Sequence, residues 1–210
     1  MASSMIHLAI TSELMKRHTF RDADRLRLGS ILPDASDDKV NSHLKTIING
    51  GTLKIYDLDR FRKLFGPLIL TDDLYAGYYL HLIQDILFRH LVYDDYHWDA
   101  YLPGNVERLH RDYQISNCYV ASKYGLEKDI PVPADIYKEP LCGLADFHVQ
   151  DLVDFLAACF EPVGFSDAFF FTTEMADEFI GRAVPVCLGE LERLEHGRPG
   201  LDAKQLGWAV

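Results

Sequence analysis

His81 and Asp85 stand four residues apart in the stretch Thr71-Asp-Asp-Leu-Tyr-Ala-Gly-Tyr-Tyr-Leu-His-Leu-Ile-Gln-Asp-Ile-Leu-Phe-Arg-His90, which is apolar on nearly every helical face. A helix of that composition is buried inside a domain, and a buried carboxylate has to be paired, hydrogen-bonded or bound to a metal. The i, i+4 spacing puts both side chains on one side of the helix, where they can grip one ion. Two further His/Asp pairs share the spacing, His18/Asp22 and His90/Asp94. Asp22 is accounted for as a capping-box partner of Thr19, and Asp94 falls in water at the end of the long helix, beside Asp95 and His97. Taken alone, His81/Asp85 also has a plain reading, a core histidine bonded to its helical neighbour.

Three other residues join the pair. His7 is an imidazole in an otherwise apolar helix start and alone reads as a packed core histidine. Asp34 follows Pro33 at a constrained turn, where an Asx-type turn is the simple explanation. His43, alone, is an ordinary surface histidine. Together, three imidazoles and two carboxylates match the nitrogen and oxygen preference of zinc or another borderline divalent ion. They outnumber the ligands of one tetrahedral site, which points to two ions or to one ion with a hydrogen-bonded outer shell.

The elements that must position these residues are mainly helical. Residues 5–16 have helical periodicity, and Thr19/Asp22 open a second helix through Leu28 that Gly29 and Pro33 stop. Ile47 to Tyr56, with Gly50-Gly51, is the one hairpin signal. A short helix over 57–65 ends at Gly66-Pro67. The long helix is capped by Thr71, has Asp72 and Asp73 in its first turn and runs to about Tyr93. Helices follow over Asn105 to Lys123, ended by Gly125, and over 147–160 and 173–194, with a proline-rich connection at 126–145. The expected fold class is all-α, a multi-helix domain over 5–210 with at most a short β-hairpin.

Composition limits the functions. With 48% hydrophobic residues the chain has ample core, and a net charge of −11 argues against nucleic-acid backbones or anionic membranes as partners. A phosphate-bearing substrate would need local positive charge, such as metal ions. Cys118, Cys142, Cys159 and Cys187 lie far apart and read as reduced thiols of a cytoplasmic protein. No stretch is apolar over the length of a membrane span, no signal sequence is visible, and Ala2 to Ser4 read as an extension ahead of a natural start at Met5.

The order of the motifs also carries a resemblance. An N-terminal His7, Asp34 after Leu28-Gly-Ser-x-x-Pro33, His43 and then Gly77-Tyr-x-x-His81-x-x-x-Asp85 resemble the zinc-dependent phospholipase C family, in particular its short bacterial relatives. Leu109-His-Arg-Asp-Tyr-Gln-Ile-Ser-Asn117 resembles a segment of the same relatives, so the likeness spans roughly residues 5–125. It implies an all-helical fold shared with zinc nucleases that act on single strands, and a phosphodiester or phosphomonoester substrate. His7, Asp34, His43, His81 and Asp85 fall on its metal-ligand positions, with Asp85 of the type that bridges ions. Asp34 is of the type that also orients or deprotonates the attacking water. The sequence departs from the family in three places. Met5-Ile6 stands where the secreted enzymes have a terminal Trp whose amine binds zinc, Leu91 replaces a further His, and His110/Gln114 replaces a second His/acid pair. Asp112 is the preferred substitute ligand over His90 and His110, because its charge needs a buried partner.

The expected function is a metal-dependent hydrolase of a small phosphate ester, in which one or two divalent ions, zinc foremost, lower the pKa of a water whose hydroxide attacks phosphorus. Tyr75, Tyr78, Tyr79 and Trp98 are core residues that could also wall the site. Two alternatives stand beside it. One is a non-catalytic helical protein with a structural metal or buried His/Asp network. The other is an HD-type phosphohydrolase, disfavoured by the absence of an adjacent His-Asp pair. The C-terminal part, with Phe169-Phe170-Phe171, has three open roles: covering the site, completing the core or joining two copies in a homodimer.

Overall fold

The long helix is the centre of the fold. The computed structural model describes residues 2–164 and 167–210, and among them are seven α-helices, with helix α4, Asp73–Arg89, at their centre. All its residues from Asp73 to Ile86 are buried, as its all-round apolar sequence requires. Its N-terminus is capped by Asp72, whose carboxylate accepts the Leu74 N–H at 3.0 Å, so Asp72 rather than Thr71 is the cap. Thr71 instead donates its hydroxyl to the Pro67 carbonyl at 2.9 Å. After Arg89 the chain widens into a π-helical turn, His90–Asp95.

Helix α2, Ala23–Ile31, is capped by Asp22 itself, which accepts the Arg25 N–H at 3.0 Å. It passes through Gly29 without stopping, and the reason lies on α4. A Cβ on Gly29 would sit 2.1 Å from the Leu74 carbonyl oxygen, and one on Gly77 would sit 2.4 Å from the Leu26 carbonyl oxygen and 2.7 Å from the Ser30 nitrogen. The two helices therefore meet backbone against backbone, and glycine is used here for close approach rather than for a turn.

Helices α1, Ser4–Met15, α5, Asn105–Tyr124, and α7, Thr173–Glu195, pack against one another, with α1 and α7 also against α4. Helix α3, Leu58–Ile69, also lies on α4 and continues through Gly66 and Pro67, where the sequence suggested a stop. Helix α6, Val149–Ala158, leans on the short turn Leu32–Ala35 that follows α2. Strands β1, Lys45–Ile48, and β2, Leu53–Tyr56, form the expected antiparallel hairpin, with Lys45 opposite Tyr56. Its turn places Asn49, Gly50 and Gly51 at φ 52°, 67° and 96°, which explains the glycine pair. A short strand β3, Trp208–Ala209, adds to β2. The fold is thus mainly α with a small three-stranded antiparallel sheet.

The C-terminal part completes the core. Phe171, Phe179 and Cys187 are fully buried, whereas Phe169 is 61% exposed. The segment ahead of Met5 belongs to the fold as well: α1 starts at Ser4, Ala2 is buried, and only Met1 lies outside the described residues. No helix among the described residues is long and apolar enough to cross a membrane.

The glycine contact gives a direct test. Gly77→Ala should destabilise the protein by about 1–3 kcal/mol, the usual cost of overpacking, in chemical denaturation. Gly66→Ala, which meets nothing within 4 Å, should be neutral or stabilise by up to about 1 kcal/mol.

Candidate metal centre

Five of the six candidate ligands converge. His7 comes from α1, Asp34 from the turn after α2, His43 from the segment before β1, and His81 and Asp85 from α4. The His43 Nε2 lies 3.2 Å from the His81 Nε2, 3.6 Å from Asp34 Oδ1 and 3.4 Å from Asp85 Oδ2. His7 Nε2 is 3.5 Å from Asp85 Oδ1, and His81 Nε2 is 3.8 Å from Asp85 Oδ2. Donor atoms about 2.0–2.2 Å from one tetrahedral ion are about 3.3–3.6 Å apart, so most of these separations are close to those of a coordination shell. His7, Asp34 and His81 form one triad able to hold an ion, and His43, His81 and Asp85 form another.

The outward sides of the rings decide which way the lone pairs point. His81 Nδ1 faces the Ser30 carbonyl at 2.8 Å, and a carbonyl only accepts, so Nδ1 carries the proton and Nε2 presents a lone pair to the cluster. The same tautomer suits His7, whose Nδ1 faces Gln84 Oε1 at 2.7 Å, and His43, whose Nδ1 faces the Ser42 hydroxyl at 2.9 Å. Metal-ligating histidines are held in this manner by a partner on the far nitrogen. In this arrangement the His43 and His81 lone pairs confront each other at 3.2 Å, and the buried His7 Nε2 has no hydrogen-bond partner among the described residues. A cation held by either triad would engage lone pairs of this set.

The carboxylates are gripped from several sides. Asp85 Oδ1 accepts the Ala2 backbone N–H at 3.0 Å, and Oδ2 accepts the Tyr56 hydroxyl at 3.3 Å. Each oxygen therefore faces a different imidazole group, His7 on one side and His43 with His81 on the other. Burial works against ionisation of Asp34 and Asp85, but the nearness of His43 and the other imidazoles outweighs it, and both stay well below the ordinary carboxylate range. Burial would lower the His7 pKa, yet Asp85 in particular reverses this and the net shift is upward. His81 is pushed down to about 3 by burial and then by the charge of His7.

Exposure distinguishes one ligand from the rest. The side chains of His7, His43, His81 and Asp85 are wholly buried, whereas Asp34 is 12% exposed. Asp34 also lines a cavity of about 630 Å³ bounded by the N-terminal segment, by residues 93–117 and by α6. Lys39 stands beside it, donating to the Asp34 carbonyl at 2.7 Å.

Asp112 is not part of this centre. Its carboxylate is buried, as expected, but it accepts the backbone N–H groups of Phe169, Phe170 and Phe171 at 2.8, 2.7 and 2.8 Å. The partner that its charge requires is the chain leading into α7, which no metal pattern could reveal. His90, the other i, i+4 member, also finds partners of its own, Asp94 Oδ2 at 2.5 Å and the Leu206 carbonyl at 3.1 Å. Of the aromatics, Trp98 lines the cavity, while Tyr75, Tyr78 and Tyr79 are core residues away from its wall. Sequence reasoning missed Gln84, Ser30, Tyr56 and Lys39. Gln84 left a signal, a polar amide inside a fully apolar helix next to Asp85, whereas a backbone carbonyl such as that of Ser30 leaves none.

Compared with family models, with curated proteins and with solved structures, the chain matches none.

Two measurements follow. Calorimetric titration of metal-stripped protein with zinc or manganese should show binding that His81→Ala abolishes. The affinity should be lower at pH 6 than at pH 8, because the raised His7 pKa lets protons compete for its lone pair. Asp112→Asn should leave that titration unchanged while lowering stability by about 2 kcal/mol, the scale of a hydrogen bond to a charged group.

Proposed function

We propose that the protein is a metal-dependent hydrolase of phosphate esters. The observation that carries this reading is the position of Asp34, which joins a buried set of imidazole and carboxylate donors to a large cavity. A purely structural site has no need of such an opening, whereas a catalytic one keeps a position for water or substrate. The donor set suits a borderline divalent ion, with zinc as the leading candidate, and the order of the ligands along the chain resembles that of the zinc-dependent phospholipase C family. The five residues would hold one or two such ions, and His81, with one inward lone pair, would serve only one of the two triads.

A divalent ion held there supplies Lewis acidity, lowering the pKa of water towards neutrality and offsetting charge on the phosphate. The residues of the chain do the remaining work. Ser30, Gln84 and Ser42 hold the three imidazoles in register from behind. Asp34, at the cavity edge, orients the attacking water and takes its proton. The oxygen of that water joins phosphorus, the ester P–O bond breaks, and the proton taken up by Asp34 passes to the oxygen of the departing alcohol. Lys39 places a positive charge at the same edge in a chain that is otherwise acidic.

The complete burial of four of the five ligands favours a second reading, a structural ion that locks α1, α4 and the hairpin together. His81→Ala separates the two. A folded variant that no longer hydrolyses bis-nitrophenyl phosphate or nitrophenyl phosphate supports catalysis, whereas loss of folding supports the structural role. Metal-loaded wild type should hydrolyse one of these esters and lose the activity with EDTA. Failure to bind any divalent ion stoichiometrically would sink the proposal.

A further inference from the structure

The cavity beside Asp34 has an uneven distribution of charge. Among the described residues that line it, Asp34 is the only carboxylate and Lys39 the only lysine or arginine, and the two sit together at one end. Away from that end the wall is mainly apolar, with Tyr93, Leu109 and Tyr113 among its residues and Val106 and Phe155 towards solvent. Its volume of about 630 Å³ lies inside the range of pockets that enclose a small organic ligand, about 300–1,000 Å³.

We infer that this cavity is the binding site for the organic portion of the substrate, and that the substrate is a free phosphate ester of an uncharged, apolar alcohol. The assignment rests on the hydrolase reading for its orientation, phosphate towards Asp34 and Lys39, alcohol along the apolar wall. Lys39 is the phosphate-positioning residue. An ammonium has three N–H donors, and it meets the Asp34 carbonyl at 2.7 Å and the Asp34 carboxylate at 3.4 Å, which leaves one for a phosphate oxygen. An amino alcohol ester is disfavoured, because no second carboxylate lines the wall to pair its ammonium, and burying an unpaired charge is costly. A polyol ester is disfavoured because most of the wall is apolar, with Ser3, His110, Gln114 and Asn117 among its polar exceptions. The negative charge of the chain, −11, argues for a free ester over one held in an anionic membrane.

Phosphonates, which carry a P–C bond in place of the ester bond, read the site without turnover. Calorimetry on metal-loaded protein should give phenylpropylphosphonate the highest affinity, by roughly tenfold over aminopropylphosphonate and methylphosphonate, the discrimination an apolar pocket provides. Lys39→Met should weaken all three severalfold while tightening divalent metal binding, because it removes a cation from beside Asp34. Lys39→Arg should restore phosphonate binding. A merely structural lysine would not move the two affinities in opposite directions. Val106→Asp adds a carboxylate to the wall at a helix N-terminus that tolerates it, and should narrow or reverse the preference between the phenyl and amino compounds.

Equal binding of the three phosphonates, or a preference indifferent to Val106→Asp, would overturn the assignment. So would competition by vesicles of phosphatidic acid in neutral lipid at matched phosphate concentration. The catalytic reading fails separately, if the phosphonate order holds and phenylpropyl phosphate is bound but not cleaved. Cleavage of phenylpropyl, aminopropyl and glycerol phosphates at equal kcat/KM would instead overturn the present assignment and leave the catalytic reading standing.

Discussion

The approach of α2 to α4 through Gly29 and Gly77 is the constraint on which the rest of the molecule depends. It brings the Ser30 carbonyl to 2.8 Å from His81 Nδ1, and that one hydrogen bond fixes both the ring plane and the tautomer of the central imidazole. It also sets where α2 ends, and hence where the turn Leu32–Ala35 delivers Asp34. A side chain at either glycine would push the helices apart and move His81 and Asp34 away from each other. The site geometry is thus a consequence of backbone packing about one turn away.

The second constraint is electrostatic. Asp85 and three imidazoles are placed where water does not reach, with Asp34 at the edge, and the interior returns their lost hydration through mutual contact and a few precise partners. Tyr56 and the Ala2 amide satisfy Asp85, while Gln84 and Ser42 satisfy the outer nitrogens of His7 and His43. What remains unsatisfied faces inward: the His7 Nε2 and the opposed nitrogens of His43 and His81. A core that fills its outer shell and leaves these inner nitrogens short of partners among the described residues has His/Asp groups that could hold a metal ion.

The sequence made the helices and hairpin legible wherever a local rule sufficed. The all-round apolar run of α4 announced its burial, Gly125 ended α5 at φ 63°, and Gly50-Gly51 marked the hairpin turn. Errors arose where the answer was held by a distant residue. Gly29 looked like a stop because its role becomes visible only opposite Gly77. Pro67 sits late in α3, where an isolated chain would be expected to break, and packing on α4 overrides the local preference. The convergence of His7, Asp34 and His43 on α4 was suggested by their types and order, but Lys39 lay in an unremarkable polar segment. Asp112 was read as buried and in need of a partner, which it is, but its partners are amides that any sequence would carry.

That last contact has a consequence for how the chain tolerates change. The clasp on Asp112 reads only backbone N–H groups, so it places no demand on which side chains residues 169–171 bear. Their side chains are therefore free to serve three unrelated tasks: Phe171 fills the core, Phe170 stacks on Trp98 at 4.2 Å, and Phe169 lies beneath the Arg108 guanidinium at 4.5 Å. One carboxylate fixes the path of the loop, and the aromatic surface beside the cavity mouth can vary residue by residue without unfastening it.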